Sequence, residues 1–155
     1  MKKLLLLLIA VLLFACNGKE SKSRIINPDA SQKILISMES TEFKEKLVDK
    51  LISKYKNIST IEIQSLKFLK KTNPADYNAI IILDACQASL KLNFVINKFR
   101  KNHPTEDNVI FFITSGDPDW KWNDPDVRAI TSASEFNLLD KTFLNIKTAL
   151  DSLLK

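Results

Sequence analysis

The chain has 155 residues, 45% of them hydrophobic, with 23 Lys and Arg against 18 Asp and Glu for a net charge of +5. Most lysines are interspersed with Asp and Glu, which is how solvated helix faces read, and this argues against the concentrated basic face that nucleic-acid recognition needs. With only two cysteines, a disulfide scaffold is excluded and stability must rest on an apolar core.

Residues 1 to 16 read MKKLLLLLIAVLLFAC. Lys2 and Lys3 form a charged start, and Leu4 to Ala15 form an apolar run that covers only about 18 Å as a helix. A hydrocarbon core of roughly 30 Å is too thick for it, so residues 1–15 read as a cleaved secretory signal with the small Ala15 at the cut. Leu13-Phe14-Ala15-Cys16 resembles the lipobox of bacterial lipoproteins, with Phe14 bulkier than the small residue usual at that position. The resemblance implies that Cys16 carries a diacylglycerol thioether and an N-acyl chain such as palmitate. It therefore places the protein in the bacterial cell envelope, lipid-anchored to a membrane and facing the periplasm or the cell exterior. Several acyl chains at ~0.8 kcal/mol per buried methylene anchor essentially permanently. An ordinary signal peptide with a chance cysteine, or an uncleaved hydrophobic anchor, is the competing reading. Removing residues 1–15 leaves 21 basic and 18 acidic residues, a mature net charge of +3, and acylation of Cys16 rules out an internal disulfide to Cys86.

Residues 16–30 are expected to be the lipidated cysteine and a flexible tether, because Asn17 to Ala30 is Lys- and Ser-rich and has no sustained period. Residues 31–155 then form one domain of ordinary size. Ile34-Leu35-Ile36 reads as the first strand. Phe43, Leu47, Val48, Leu51, Ile52 and Tyr55 recur at helical spacing, with Ser40 as the expected cap and Glu42 and Glu45 in the favourable first turn. Ile58 to Leu66 alternates as a second strand, expected at an edge, and a short helix or turn over Lys67 to Thr72 precedes Pro74. The continuous apolar run Ala79 to Leu83 suits a central strand covered on both faces. Leu92, Val95, Ile96 and Phe99 mark a helix ending near Arg100, and Val109 to Ile113 is a fourth strand. Val127 to Thr131 is a short fifth, and an amphipathic helix closes the chain over residues 135–154.

Five strands with intervening helices, opening on KILIS, resemble the flavodoxin-like fold. The resemblance implies an α/β three-layer sandwich with a five-stranded parallel sheet of order 2-1-3-4-5, and ligands at the carboxyl ends of the strands near the switch between strands one and three. Thr114-Ser115-Gly116-Asp117-Pro118-Asp119-Trp120 is similar to the Gly-Asp loop that borders the flavin in flavodoxins. Residues 114–126 depart from the pattern in being too rich in proline and aspartate for the usual helix.

That family holds the FMN phosphate in a glycine-containing Ser/Thr loop after strand one, where helix N–H groups favour an anion. Here the loop is Ser37-Met38-Glu39-Ser40-Thr41-Glu42, with hydroxyls on Ser37, Ser40 and Thr41 but no glycine and two carboxylates. The loop after strand three, Asp84-Ala85-Cys86-Gln87-Ala88-Ser89, offers no aromatic to stack on a flavin ring. Candidate ligand or FMN contacts are therefore Ser37, Ser40, Thr41, Asp84, Ser115, Gly116, Asp117, Trp120 and Trp122. Trp120 and Trp122 either stack a flat ligand or partner, or fold back as a lid over the sheet end. Cys86 reads as a thiolate at a helix N-terminus or as an inert buried thiol. Asp117, Asp119, Asp124 and Asp126 lack calcium-loop spacing and are explained by turn formation, so no metal site is expected. The single histidine, His103, precedes Pro104 in a loop, and GxSxG, P-loop, GxGxxG and CxxC motifs are absent. No catalytic residue is assigned.

The sequence thus points to a membrane-anchored envelope lipoprotein with a flavodoxin-like, non-catalytic domain that binds an envelope protein or a small ligand, without nucleic acid and without a cofactor. The alternative is an FMN-dependent redox protein at the membrane, and a thiol enzyme using Cys86 stands third.

Overall fold

A computed structural model of the chain describes residues 23–86, 93–117, 119–122 and 129–155. The leader, the lipobox with Cys16, Gln87 to Leu92, Pro118, and the segment with Asp124 and Asp126 lie outside the described residues.

Among the described residues, six strands form one sheet: β1 (Arg24–Ile26), β2 (Gln32–Met38), β3 (Ser59–Ser65), β4 (Ala79–Ala85), β5 (Val109–Ser115) and β6 (Ala129–Ala133). The helices are α1 (Glu42–Tyr55), α2 (Phe94–Asn102) and α3 (Leu139–Leu153), with 3-10 turns at Leu66–Lys71, Pro74–Asp76 and Phe136–Leu138. The sheet order is β1-β3-β2-β4-β5-β6. β2 to β6 are parallel and follow the expected 2-1-3-4-5 order, giving the expected α/β sandwich.

Two expectations are corrected at one flank. The segment expected to be wholly tether supplies β1, which pairs antiparallel with β3 through Arg24 to Ile63 and Ile26 to Ile61. The sheet therefore has six strands rather than five, and β3 is not an edge, because β1 binds the N–H and C=O groups that an edge leaves open. The chain reverses after β1 at Asn27, whose φ of 51° lies in the left-handed region that Asn tolerates. The Asn27 side-chain amide donates to the Lys56 carbonyl at 2.9 Å, and Thr60 Oγ1 donates to the Asn27 carbonyl at 2.7 Å, which pins the turn.

Alternation along the strands divides the core. Ile34 and Ile36 of β2, Ile81 and Leu83 of β4, and Ile110 and Phe112 of β5 pack with Leu47, Leu51 and Ile146 under α1 and α3. Leu35, Ile80, Ile82 and Ile113 face the other side, against Ile96 and Phe99 of α2 and Leu66 and Leu69 of the 3-10 turn. Each such side chain contributes about 1.5–3 kcal/mol by burial. The buried members of both clusters lie between Ile34 and Leu150, so the segment from residue 22 onward carries a complete core.

The α2 side is thinly covered. A six-residue 3-10 turn, Leu66–Lys71, stands where a full crossover helix would shield β3. Grooves of about 300 Å³ beside Ser23, Gln64, Phe68, Lys71 and Tyr77, and about 490 Å³ beside Phe99, Arg100, His103 and Phe111, are left open. No helix among the described residues is long and apolar enough to cross a membrane.

Candidate functional site

The carboxyl ends of β2, β4 and β5 carry the residues singled out by sequence. Ser37 is the penultimate residue of β2, and Leu35 on its side of the strand belongs to the α2-side cluster. It is 0% exposed, and its Oγ has no hydrogen-bond partner among the described residues. An unpartnered buried hydroxyl costs free energy, so Ser37→Ala is expected to be neutral or to stabilise by up to about 1 kcal/mol. The urea midpoint reads this directly. A loss above about 1 kcal/mol would show that the hydroxyl is bonded.

The turn into α1 is closed by its own residues. Thr41, not Ser40, is the cap: with φ of −136° it is the last extended residue, and its Oγ1 accepts from the Lys44 N–H at 3.4 Å. Ser40 Oγ donates instead to the Glu45 carboxylate. Both hydroxyls are thereby engaged within the helix start, while Glu39, Glu42 and Glu45 are exposed around it.

Beneath this turn lies Lys44, only 2% exposed. Burial holds its ammonium below the ordinary lysine range, and Asp84 and then Glu39 pull it back up. Asp84, 3% exposed at the end of β4, accepts from the Asn93 N–H at 3.2 Å. Thr114 Oγ1 donates to the Asp84 carbonyl at 3.3 Å, and the Cys86 N–H donates to the Thr114 carbonyl at 2.7 Å, tying β4 to β5 at this end. Asp84 was singled out as a candidate contact; its buried counter-charge Lys44 was not. The signal was present, since positions 44, 48, 51 and 55 share one stripe of the α1 helix with Val48, Leu51 and Tyr55.

After β5 the chain turns on itself. Ser115 Oγ accepts from the Asp117 N–H at 3.2 Å, Asp117 Oδ1 accepts from the Asp119 N–H at 2.9 Å, and the Trp120 N–H reaches the Asp117 carbonyl at 3.3 Å. Gly116 has no positive φ, and a Cβ there would meet nothing within 4 Å, so this turn does not require glycine. Trp120 and Trp122 are half-buried against the α2-side core. Their rings meet edge-on at 6.1 Å and 70°. The structure thus places both indoles against the sheet and each other. Trp122 Nε1 is buried without a partner among the described residues.

Cys86 is partly buried at this end of the sheet. His103 lies at the opposite end, after α2, with its ring 4.9 Å from Phe99 and Nδ1 3.9 Å from Glu106. The fold therefore does not bring His103 to Cys86 or Ser37. Among the described residues no group of three His, Cys, Asp or Glu is placed to hold a metal ion.

No protein-family model and no curated protein matches the chain. Solved structures do. Oxidised flavodoxin 2 from Bacillus cereus is 16% identical with a TM-score of 0.51, the match covering 77% of this chain and 98% of that one. A flavodoxin from the domain Archaea is 13% identical with a TM-score of 0.50, over 80% of this chain and 100% of that one. The fold is flavodoxin-like. At these identities the likeness reaches the architecture and no further.

The residues at the corresponding strand ends are a poor fit to FMN. A phosphate dianion at the α1 N-terminus would meet Glu39 and Glu42, each like-charge pair costing about 3 kcal/mol at ~5 Å and an effective dielectric of ~20. The hydroxyls that would offset this, on Ser40 and Thr41, already serve Glu45 and the Lys44 N–H. The two indoles, packed against the core and edge-on to each other, do not form the walls of a slot for a flat ring.

Proposed function

We propose that this protein is an envelope lipoprotein, held to a membrane through acylated Cys16, whose flavodoxin-like domain works by recognition and not by flavin chemistry. The observation that carries the reading is the α1 N-terminal turn, self-capped by Thr41 and ringed by Glu39, Glu42 and Glu45. In this reading the binding surface is formed by the loops after β2, β4 and β5, with Trp120 and Trp122 as its apolar element, and the occupant is an envelope protein or a small uncharged or cationic ligand. A dianion is disfavoured there by the same carboxylates.

The test is a flavin titration of residues 22–155. Purified protein is expected to lack yellow absorbance and to leave FMN fluorescence unchanged at micromolar concentrations. Stoichiometric quenching would replace this reading with that of a membrane-held redox protein. The anchor is tested separately, by mass spectrometry of the N-terminal peptide of the full-length protein isolated from bacterial membranes. An unmodified Cys16, or an intact leader, would remove it.

A further inference from the structure

The direction of β1 decides which end of the domain is tied to the anchor. Because β1 runs antiparallel to β3, with Arg24 beside Ile63 and Ile26 beside Ile61, the chain enters the sheet at the carboxyl end of β3. Ser23 is the seventh residue after Cys16, a span of at most about 25 Å. An acylated Cys16 therefore keeps this one corner of the domain close to the bilayer.

That corner is basic. Gln64 Nε2 donates to Thr72 Oγ1 at 3.0 Å, which brings the end of the 3-10 turn beside the point of entry, so that Ser23 and Lys71 line one groove. Lys67, Lys70 and Lys71 are all exposed here, because the turn buries only Leu66 and Leu69, while Arg24, paired with Ile63 and in phase with Ile26, lies on the α1-side face of the sheet. Glu62 accepts from the Tyr77 hydroxyl at 2.9 Å and Asp76 from the Asn73 amide at 3.3 Å, which orients the two carboxylates of the same groove without removing their charge. Elsewhere at the carboxyl end of the sheet the exposed charges of the described residues are mixed, with Glu39, Glu42 and Glu45 before and in α1, Asp117 and Asp119 after β5, and Lys121 beside them.

We propose that the corner formed by Lys67, Lys70 and Lys71, beside the point where the chain enters the sheet, docks on an anionic phospholipid surface. The proposal rests on the anchored reading for its biological setting. Its physical basis is the attraction of an anionic leaflet for each Lys or Arg near the surface, which falls off within a Debye length.

Residues 22–155 should co-sediment with vesicles containing 40% phosphatidylglycerol at low ionic strength, and not with pure phosphatidylcholine vesicles. K67E/K70E/K71E should weaken that partition about 100-fold or more. K54E/K56E/K101E carries the same net charge but reverses lysines at the opposite end of the sheet, and should weaken it less than about 5-fold. Equal binding to both vesicles, absence of binding to the anionic ones, or equal loss in the two triple variants would each overturn the proposal. Acylation of Cys16 is read independently on the full-length protein, so failure of the anchor and failure of the docking corner are separate results.

Discussion

Replacing Lys44 by Met is expected to leave the domain as stable as wild type at neutral pH, or more stable by about 1 kcal/mol. Met keeps the apolar stem and roughly the volume, so packing under the α1 turn changes little. What is lost is a buried positive charge whose desolvation outweighs the attraction of Asp84 and Glu39. Urea denaturation of the two proteins reads the difference. A loss above about 1 kcal/mol in K44M would show that the attraction outweighs the cost of burial. The lysine has a pH signature as well. Burial holds the folded-state Lys44 ammonium below the ordinary value of 10.5, so the unfolded chain binds more protons in that window. Wild-type stability therefore rises with pH toward 10.5, and K44M lacks this contribution.

Above pH 10 the opposite slope is expected to dominate, and it comes from two phenols. Tyr55, 1% exposed, is pushed far above the ordinary tyrosine range by burial and by its 2.6 Å hydrogen bond to Asp151. Tyr77 is pushed up to about 12 by burial and by its bond to Glu62. A phenol whose pKa is raised on folding contributes stability that is complete below its unfolded value of about 10 and is lost as pH climbs toward the folded value. Tyr55 alone then costs about 1.4 kcal/mol per pH unit above 10, and between 10 and 12 Tyr77 adds to the slope. Denaturation midpoints at pH 9, 10 and 11 should fall steeply over the last unit in wild type and less so in Tyr55→Phe. That variant is also weakened by about 1 kcal/mol at neutral pH through loss of the Asp151 bond. An unchanged alkaline slope in Tyr55→Phe would show that its hydroxyl ionises as easily in the fold as outside it.

The helices and inner strands were legible because their periods are long and clean. Phe43, Leu47, Leu51 and Tyr55 mark α1, and the double-sided apolar runs Ala79 to Leu83 and Val109 to Ile113 mark β4 and β5, all found where expected. Boundaries moved by a few residues: α2 begins at Phe94 and β6 spans Ala129–Ala133. The choice of cap went from Ser40 to Thr41 because either hydroxyl satisfies the composition rule, and only the backbone angle decides which residue is last to stay extended. Lys44 escaped notice because lysine in an amphipathic helix is ordinarily solvated, and nothing local announces a carboxylate waiting at the end of a strand forty residues later. The indoles were equally ambiguous, since proline and aspartate fix a turn but not the side on which a neighbouring aromatic packs.

By itself the sequence determined the class of fold, the alternation of strand and helix, and the composition of the core, because those follow from periodicities that each segment carries alone. The tertiary structure decided whatever depends on a distant partner. A three-residue strand such as β1 has no period to detect and exists only because β3 offers it open hydrogen-bonding groups. The burial of Lys44 and the basic corner beside Ser23 arise the same way, from groups far apart in the chain that meet only once the sheet is ordered.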